Sequence, residues 1–344
     1  MTEPIAVEFT GNIWYNPDQF RHNINQHPIG EPLILDFRNE GPSLRATGIM
    51  DVINAWLRDR HLPPTAVHLN KWTNPVEFVP YRRLDNCTKL SHFFHMSRDY
   101  WQDQEPTLEQ QLGYQKPFGL FIGRMMLSRA VIFYQAMKHD HNVLASRMSH
   151  RAPLPWYLPK NNDVHLDNLS DWLSLHEQIQ MFEWYNNNPV SSLDNKSVGD
   201  QYITPDSWID TNTSLLQHYH NFAVEIVCET CVHGDAFTPT EKTIRPIMAA
   251  KPVIIFGPQY YLARLRSLGF QTYHEIWDES YDLYQGPERW RLMQKSMNLL
   301  LGCSRSDQHK ILSRAHDIAM FNRQRLWDIW NFRVHLTNHD YSNI

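Results

Sequence analysis

A glutamate and a Thr-Glu-Lys tripeptide follow an apolar run in the second half of the chain. The run Phe222–Cys228 predicts a buried strand, and Glu229 comes directly after it. Thr240-Glu241-Lys242 then opens a helical pattern in which Thr240 can cap the helix. The first turn of a helix has unpaired N–H groups and the positive end of the dipole, which suit phosphate. Carboxylates beside a lysine at this place predict a ligand with both hydroxyls and phosphates, as a nucleotide sugar has.

The elements around these residues alternate between strand and helix. Val253–Phe256 predicts a second buried strand, Tyr260–Leu268 a second helix, and 271–273 a candidate further strand. Strand, helix, strand, helix is half of a doubly wound α/β domain. Ligands of such domains bind beyond the carboxyl ends of the strands, where Glu229 and the tripeptide lie. The same residues also fit a plainer alternative, a capped surface helix with a solvated charge pair.

The order of these residues resembles the donor-site motif of α-1,3-fucosyltransferases. The matching residues are Glu229, Thr240, Glu241, Lys242, Arg245 and the pair Gly257-Pro258. The wider stretch, through residues 278–282, is similar to a group of phage-encoded glycosyltransferase-like proteins. The gap between Glu229 and Thr240 is longer than in the fucosyltransferase pattern, and Thr230 stands where that pattern has an asparagine. The resemblance implies a nucleotide-sugar donor site in which Glu229 or Glu241 accepts hydrogen bonds from ribose or sugar hydroxyls.

Another strand and helix precede this region. Phe118–Ile122 predicts a strand, Gly123-Arg124 a turn and Met125–Met137 a helix. The donor domain of GT-B glycosyltransferases commonly begins in this way, and Arg124 resembles the arginine that fucosyltransferases place against the donor diphosphate. Arg129, on the same helix, is a further candidate for donor binding, with a surface helix residue as the alternative.

The first part of the chain also has a βαβ pattern. Residues 31–36 predict a strand that ends at Asp36, residues 48–57 a helix, and residues 66–69 another strand. An inverting sugar transfer needs a general base near the acceptor hydroxyl. Asp36 is the first candidate for that base and Glu40, in the following loop, is the second. A loop-capping role is the alternative for Asp36, and a retaining enzyme would need no such base.

These patterns together predict an α/β, GT-B-like fold with two Rossmann-like βαβ domains facing a central cleft. We expect residues 1–115 to bind the acceptor, residues 116–304 to bind the donor, and residues 305–344 to form a terminal helix that packs back across the domains. Residues 106–116 are polar and predict a linker. Residues 171–185 predict a helix capped by Ser170.

Composition excludes several classes of protein. The chain has 344 residues, 42% hydrophobic and 20% charged, as expected for a globular protein of two domains. Its net charge of −5 argues against broad non-specific binding of nucleic acid. The N-terminus does not have the pattern of a signal peptide, and no apolar run reaches membrane-spanning length. We therefore expect a cytoplasmic protein, in the host cytoplasm if the chain is viral.

Metal ions and cofactors are not expected beyond the donor substrate. Cys228 and Cys231 form a CxxC pair at a strand end, but no second pair completes a zinc site. The chain also contains no Asp-x-Asp motif that would hold a metal ion on the diphosphate. Lys242 and Arg124 would then stabilise the leaving group in its place.

The sequence therefore predicts a metal-independent glycosyltransferase that moves a sugar from a nucleoside-diphosphate sugar to an acceptor hydroxyl. Two acceptors fit, a glycan or a hydroxymethylated base in phage DNA. DNA modification would need an accessible or flipped base and a basic cleft. The candidates for such a cleft are Arg38, Lys71, Arg82, Arg83 and Lys89. The alternative function is a non-catalytic glycosyltransferase-like protein that binds a nucleotide or an interaction partner.

Overall fold

Two parallel β-sheets organise the computed structural model of the chain. The structure describes residues 6–8, 16–28, 30–36, 44, 47–70, 82–83, 106–122, 126–137, 142–147, 168–187, 218–229, 232–233, 237 and 239–337. One four-stranded sheet lies in the first part of the chain and one in the second, and helices connect their strands. The predicted α/β fold class, with a Rossmann-like unit in each part, is confirmed. That the two units face a central cleft stays a prediction.

The first sheet has its strands in sequence order. They are β1 (Ala6–Glu8), β2 (Leu33–Asp36), β3 (Val67–Asn70) and β4 (Arg82–Arg83). The parallel register places Glu8 opposite Asp36, and Asp36 opposite Asn70. Three polar residues thus end neighbouring strands at the same carboxyl edge, which confirms the predicted placement of Asp36 at a strand end.

Two helices form a core with this first sheet. Helices α1 (Pro17–Asn25) and α2 (Ile49–Asp59) contact each other, and the indole of Trp56 donates to the carbonyl of Ile24 at 3.0 Å. The buried side chains of the two helices form one cluster with those of the strands. This cluster consists of Phe20, Ile24, Leu33, Leu35, Leu44, Ile49, Met50, Val52, Ile53, Trp56, Leu57 and Val67. The first part of the chain therefore has its own hydrophobic core.

The second sheet has the strand order β6-β5-β7-β8, with every pair parallel. Its strands are β5 (Lys116–Ile122), β6 (Val143–Arg147), β7 (Phe222–Cys228) and β8 (Val253–Phe256). β5 and β7 are neighbours, but the chain leaves β5 towards one side of the sheet and β7 towards the other. Such a reversal is a topological switch point, and open α/β sheets bind ligands beyond the carboxyl ends of the two strands there.

Close packing between β5 and β7 depends on a glycine. All seven residues of β7 are buried. A Cβ added to Gly119 of β5 would lie only 2.7 Å from ring atoms of Phe222, which is closer than a real Cβ atom approaches. The glycine therefore makes room for the aromatic ring at the first position of β7.

Helices surround the second sheet. They are α3 (Leu108–Leu112), α4 (Leu127–Met137), α5 (Leu169–Trp172), α6 (Leu175–Asn187), α7 (Glu241–Met248), α8 (Tyr261–Ser267), α9 (Gly286–Leu301) and α10 (Arg305–Thr337). Among the described residues, no helix is long and apolar enough to cross a membrane.

Helix α3 stands where the sequence predicted a linker. Its N-terminus has a capping box, in which Thr107 Oγ1 accepts from the backbone N–H of Gln110 and the Gln110 side chain accepts from that of Thr107. The Gln111 side chain donates to the carbonyl of Ala223 on β7 and contacts His316 on α10. Residues 106–112 thus pack onto the second sheet, although the domain limits themselves stay a prediction.

Two other local predictions were wrong. The single helix expected at residues 171–185 is divided into α5 and α6, because Asn168 caps the first helix and Ser174, with Glu177, caps the second. Ser170 is therefore not the cap. The candidate strand at 271–273 does not form, since the N–H of Gln271 bonds to the side chain of Asn322 on α10. That α10 packs back across both domains stays a prediction.

Candidate functional site

The carboxylate of Glu229 lies at the end of β7 and is fully buried. It accepts hydrogen bonds from the backbone N–H and the hydroxyl of Thr240, at 3.1 and 2.7 Å. It also accepts from the hydroxyls of Thr243, at 2.5 Å, and Tyr261, at 2.9 Å. Both carboxylate oxygens are thus occupied by protein donors. Glu229 joins the end of β7 to the start of α7 and to α8.

Glu241 and Lys242 form a buried ion pair in the first turn of α7. Their side chains retain only 10% and 11% of their exposure, and Lys242 Nζ is hydrogen-bonded to Glu241 Oε1. A solvated pair on a surface helix would be mostly exposed, so that alternative is excluded. We call Glu229, Thr240, Glu241, Lys242 and Thr243 the α7 site. It lies beyond the carboxyl end of β7, at the topological switch point.

Three N–H groups at the start of α7 are already used within the protein. Thr240 caps the helix as predicted, with its Oγ1 accepting from the N–H of Lys242 at 3.3 Å. The carbonyl of Thr240 accepts from the N–H groups of Thr243 and Ile244. A phosphate at this helix end would therefore meet the lysine ammonium and the helix dipole, and it would meet those three N–H groups only by displacing Thr240.

The two oxygens of the Glu241 carboxylate differ in their hydrogen bonds. Oε1 is bonded to Lys242, whereas the buried Oε2 has no partner among the residues that the structure describes. Burial alone would raise the pKa of Glu241, but the ammonium of Lys242 lowers it below its usual value. The carboxylate is therefore charged and has an acceptor position left open. A buried acceptor without a hydrogen bond costs free energy, and a ligand hydroxyl that donates a hydrogen bond to Oε2 would remove that cost.

Arg129 lies inside the protein on α4. Only 1% of it is exposed, so the surface alternative for Arg129 is excluded. Burial raises the pKa of the Cys228 thiol to about 12, and the charge of Arg129 acts against that rise. Arg129 is therefore close to the carboxyl end of β7. The helix after β5 and the helix after β7 both bring a cation towards the switch point.

Arg245 belongs to a different buried network, on the side of α7 that faces β7. Its guanidinium donates to the hydroxyl of Tyr219 at 2.6 Å and to the carboxylate of Glu225 at 3.2 Å. Tyr219 in turn donates to Glu225. The described contacts of Arg245 thus compensate a buried strand glutamate. They account for its place in the chain without a ligand.

A buried arginine that the sequence did not single out holds the neighbouring loops. Arg289 of α9 is fully buried and donates to the carbonyls of Ile255 and Pro258, and to the carboxylate of Asp282. Asp282 also accepts from two N–H groups at the start of α8, those of Leu262 and Ala263. The acidic run 278–282 was a signal for this network, but its arginine partner could not be chosen from spacing alone.

The remaining candidates lie partly or wholly outside the described residues. Arg124 and Glu40 are not described, and neither are Arg38, Lys71 and Lys89. For Asp36 the backbone alone is described, at the carboxyl edge of the first sheet. Within the described part of the chain, no group of three or more His, Cys, Asp or Glu residues is arranged to hold a metal ion.

Comparison with known proteins returns few matches. No family model matches the chain, and no curated protein does. Among solved structures, it is similar to an α,α-trehalose 6-phosphate synthase from Burkholderia multivorans, with 12% identity and a TM-score of 0.41 over 97% of this chain and 71% of that one. It is also similar to a UDP-forming α,α-trehalose-phosphate synthase from Burkholderia vietnamiensis, with 10% identity and a TM-score of 0.40 over 98% and 74%.

The buried carboxylate of Glu229 should be important for stability. Glu229→Gln keeps the shape but replaces one accepting oxygen with a donor, which would face donors of Thr240 or Thr243. We expect the free energy of unfolding to fall by about 2–3 kcal/mol, the value of a hydrogen bond to a buried charge. Urea denaturation followed by tryptophan fluorescence measures it. Glu288→Gln, at an exposed ion pair with Arg291, is the control and should change it by less than about 0.5 kcal/mol. Equal stabilities of the two variants would contradict the role of Glu229.

Proposed function

We propose that this protein is a glycosyltransferase that binds a nucleoside-diphosphate sugar at the α7 site. The observation that supports it most is the buried pair of Glu241 and Lys242, with its open acceptor oxygen, beyond the end of β7 at a switch point. A cation beside an unsatisfied carboxylate suits a ligand with both phosphates and hydroxyls. The order of residues in the α-1,3-fucosyltransferase donor motif supports the same ligand.

The donor contacts divide between cations and one carboxylate. Lys242 would hold the diphosphate, with Arg124, which follows β5 in the sequence, and Arg129 from α4. Glu241 Oε2 would accept a hydrogen bond from a ribose or sugar hydroxyl, whereas Glu229 is saturated by protein donors and would position the helix. Since Lys242 is already bonded to Glu241, the diphosphate would share the ammonium with that carboxylate rather than replace it.

The reaction would break the bond between the anomeric carbon and the phosphate oxygen, and the acceptor oxygen would form the new bond. Negative charge then collects on the leaving nucleoside diphosphate. Lys242, Arg124 and Arg129 would stabilise that charge. In an inverting transfer, Asp36 would take the proton of the acceptor hydroxyl, with Glu40 as the second choice. A retaining transfer would need no such base.

The acceptor side rests on the first sheet. Asp36 ends β2, and the register pairs it with Asn70 of β3 and Glu8 of β1, so three neighbouring strands end on polar residues at one edge of the sheet. A glycan or a hydroxymethylated base of phage DNA would be the acceptor, in the cytoplasm of the host if the chain is viral. The alternative is a non-catalytic protein that binds a nucleotide or a partner. Mass spectrometry of products from a nucleotide-sugar panel, offered against modified DNA and glycans, separates these cases.

Loss of Lys242 should weaken nucleotide binding. Lys242→Ala removes the cation, and we expect about ten- to hundredfold weaker binding of a nucleoside diphosphate, from the value of a charge-assisted hydrogen bond. Isothermal titration calorimetry measures it, with Arg124→Ala as a parallel variant. Lys242→Ala leaves the Glu241 carboxylate buried without its cation. The double variant Glu241→Gln, Lys242→Met therefore tests the loss of the lysine in a site where both residues are neutral. Lys310→Ala, an exposed lysine of α10, is the control. Undiminished nucleotide binding in Lys242→Ala, in Arg124→Ala and in the double variant would place the donor elsewhere.

Asp36 should matter for chemistry and not for donor affinity. Asp36→Asn keeps the shape and removes the proton acceptor, so transfer should fall roughly 10²–10⁴-fold with unchanged donor binding. If Asp36 only caps its loop, asparagine caps nearly as well and activity survives. Steady-state kinetics measures the transfer rate and calorimetry measures the donor affinity, both on the same preparation of the variant. Near-normal turnover would end the assignment, and Glu40→Gln would be the next variant.

Turnover should not need a divalent metal ion. The chain has no Asp-x-Asp motif, so cationic side chains of the protein would stabilise the negative charge of the diphosphate. We expect the same rate, within about twofold, after treatment with a chelator and after addition of magnesium or manganese. A rate that vanishes with chelator and returns with either ion would overturn this expectation. A known metal-dependent glycosyltransferase, assayed in parallel, shows that the chelator works.

A further inference from the structure

Three large apolar side chains are exposed just beyond the carboxyl end of β8. They are Tyr260, 45% exposed, Leu283, 54% exposed, and Tyr284, 44% exposed. They lie on two segments that are bonded together, since the N–H of Tyr260 donates to the carbonyl of Asp282 at 2.8 Å and the Gln259 side chain donates to that of Leu283. We call these three residues the tyrosine platform.

Hydrogen bonds from Arg289 hold both segments of the tyrosine platform. The guanidinium of Arg289 donates to the carbonyl of Pro258, before Tyr260, and to the carbonyl of Tyr284 itself, at 3.1 and 3.3 Å. The same group bonds to the carbonyl of Ile255 in β8 and to the Asp282 carboxylate. The fully buried Arg289 thus fixes both segments against β8, so the backbone that carries the three exposed side chains is held in place.

The backbone of Tyr260 is unusual for a residue with a side chain. Its φ is +61°, in the left-handed region that favours glycine. Strain of this kind is found mostly at functional sites, where the surroundings enforce it. Glycine would adopt the same backbone without strain, and 45% of Tyr260 is exposed. The geometry of the turn therefore does not explain why a tyrosine occupies this position.

The tyrosine platform adjoins the α7 site. Tyr261, the next residue, points inwards and bonds to Glu229 and Thr243. β7 and β8 are neighbouring strands, about 5 Å apart. The platform therefore lies on the ligand-binding edge of the sheet, one strand further along than the buried cation of Lys242.

We propose that the tyrosine platform binds the nucleobase of the donor nucleotide, by stacking of the base on Tyr260 between Leu283 and Tyr284. This rests on the proposed function, since the diphosphate at the α7 site brings the base to the next strand. A nucleobase is a flat, uncharged ring, and a platform of two phenol rings and an aliphatic side chain without any charge suits it. Stacking on aromatic side chains tolerates every base.

The test compares ligands with and without a base. Calorimetry with ADP, CDP, GDP, UDP and dTDP measures the affinity for base, ribose and phosphates together. Calorimetry with inorganic pyrophosphate measures the affinity for the phosphates alone. Tyr260→Gly removes the ring and suits the positive φ, so the variant should fold. We expect it to weaken binding of the preferred nucleoside diphosphate about 5- to 100-fold, the usual value of one stacked base, and to leave pyrophosphate binding unchanged.

Matched variants separate stacking from other effects. Tyr260→Phe keeps the ring and should bind as the unchanged protein does, and Tyr284→Ala should weaken nucleotide binding only. Lys242→Ala should weaken nucleotide and pyrophosphate alike. Phe321→Ala, an equally exposed ring on α10, should change neither.

The outcomes distinguish the two proposals. Nucleoside-diphosphate binding that is unaffected in both Tyr260→Gly and Tyr284→Ala overturns the platform and leaves the proposed function standing. Equal losses for nucleotide and pyrophosphate in Tyr260→Gly also overturn it, because the residue would then act on the phosphates. Absence of any nucleotide binding to the unchanged protein overturns the proposed function, and the platform with it.

Discussion

The buried carboxylate of Glu229 is the constraint on which the second half of the structure depends. A fully buried charge is tolerated only when donors surround it, and Glu229 obtains them from Thr240, Thr243 and Tyr261. These donors belong to two helices that follow two neighbouring strands. Their hydrogen bonds therefore fix the start of α7 and the start of α8 against the end of β7. The position of Lys242 in the sheet edge follows from that attachment.

Two other buried charges in the described part of this half form ion pairs. Arg245 compensates Glu225 within the sheet, and Arg289 compensates Asp282 beneath the loops after β8. Breaking such a buried pair is costly because one charge is left without compensation. In the described part of the chain, Glu241 differs from these pairs because one oxygen of its charged carboxylate has no hydrogen-bond partner, and the proposed ligand would use that oxygen. The Arg289 network also supports the exposed tyrosines, so the residues that stabilise these loops would also support the proposed binding of the nucleobase.

Local patterns predicted much of the second sheet. The continuous apolar runs at β7 and β8 identified buried parallel strands, and Thr240 was predicted as a helix cap because its side chain and spacing suit that place. Where a prediction failed, a hydrogen bond that the local pattern does not show determined the structure instead. The capping box of Thr107 turned a polar stretch into helix α3, and Asn322 of α10 removed the backbone donor of Gln271 that a strand would need.

The sequence by itself determined the alternation of strands and helices, the α/β class, and the placement of Asp36, Glu229 and the Thr-Glu-Lys tripeptide after strands. These follow from hydrophobic periodicity and capping, which act over a few residues. Only the tertiary structure decided that Glu229 is saturated while Glu241 keeps an open acceptor, and that Arg289 supports the loops after β8. Burial and hydrogen-bond partners depend on which distant segments meet, and spacing along the chain does not contain that information.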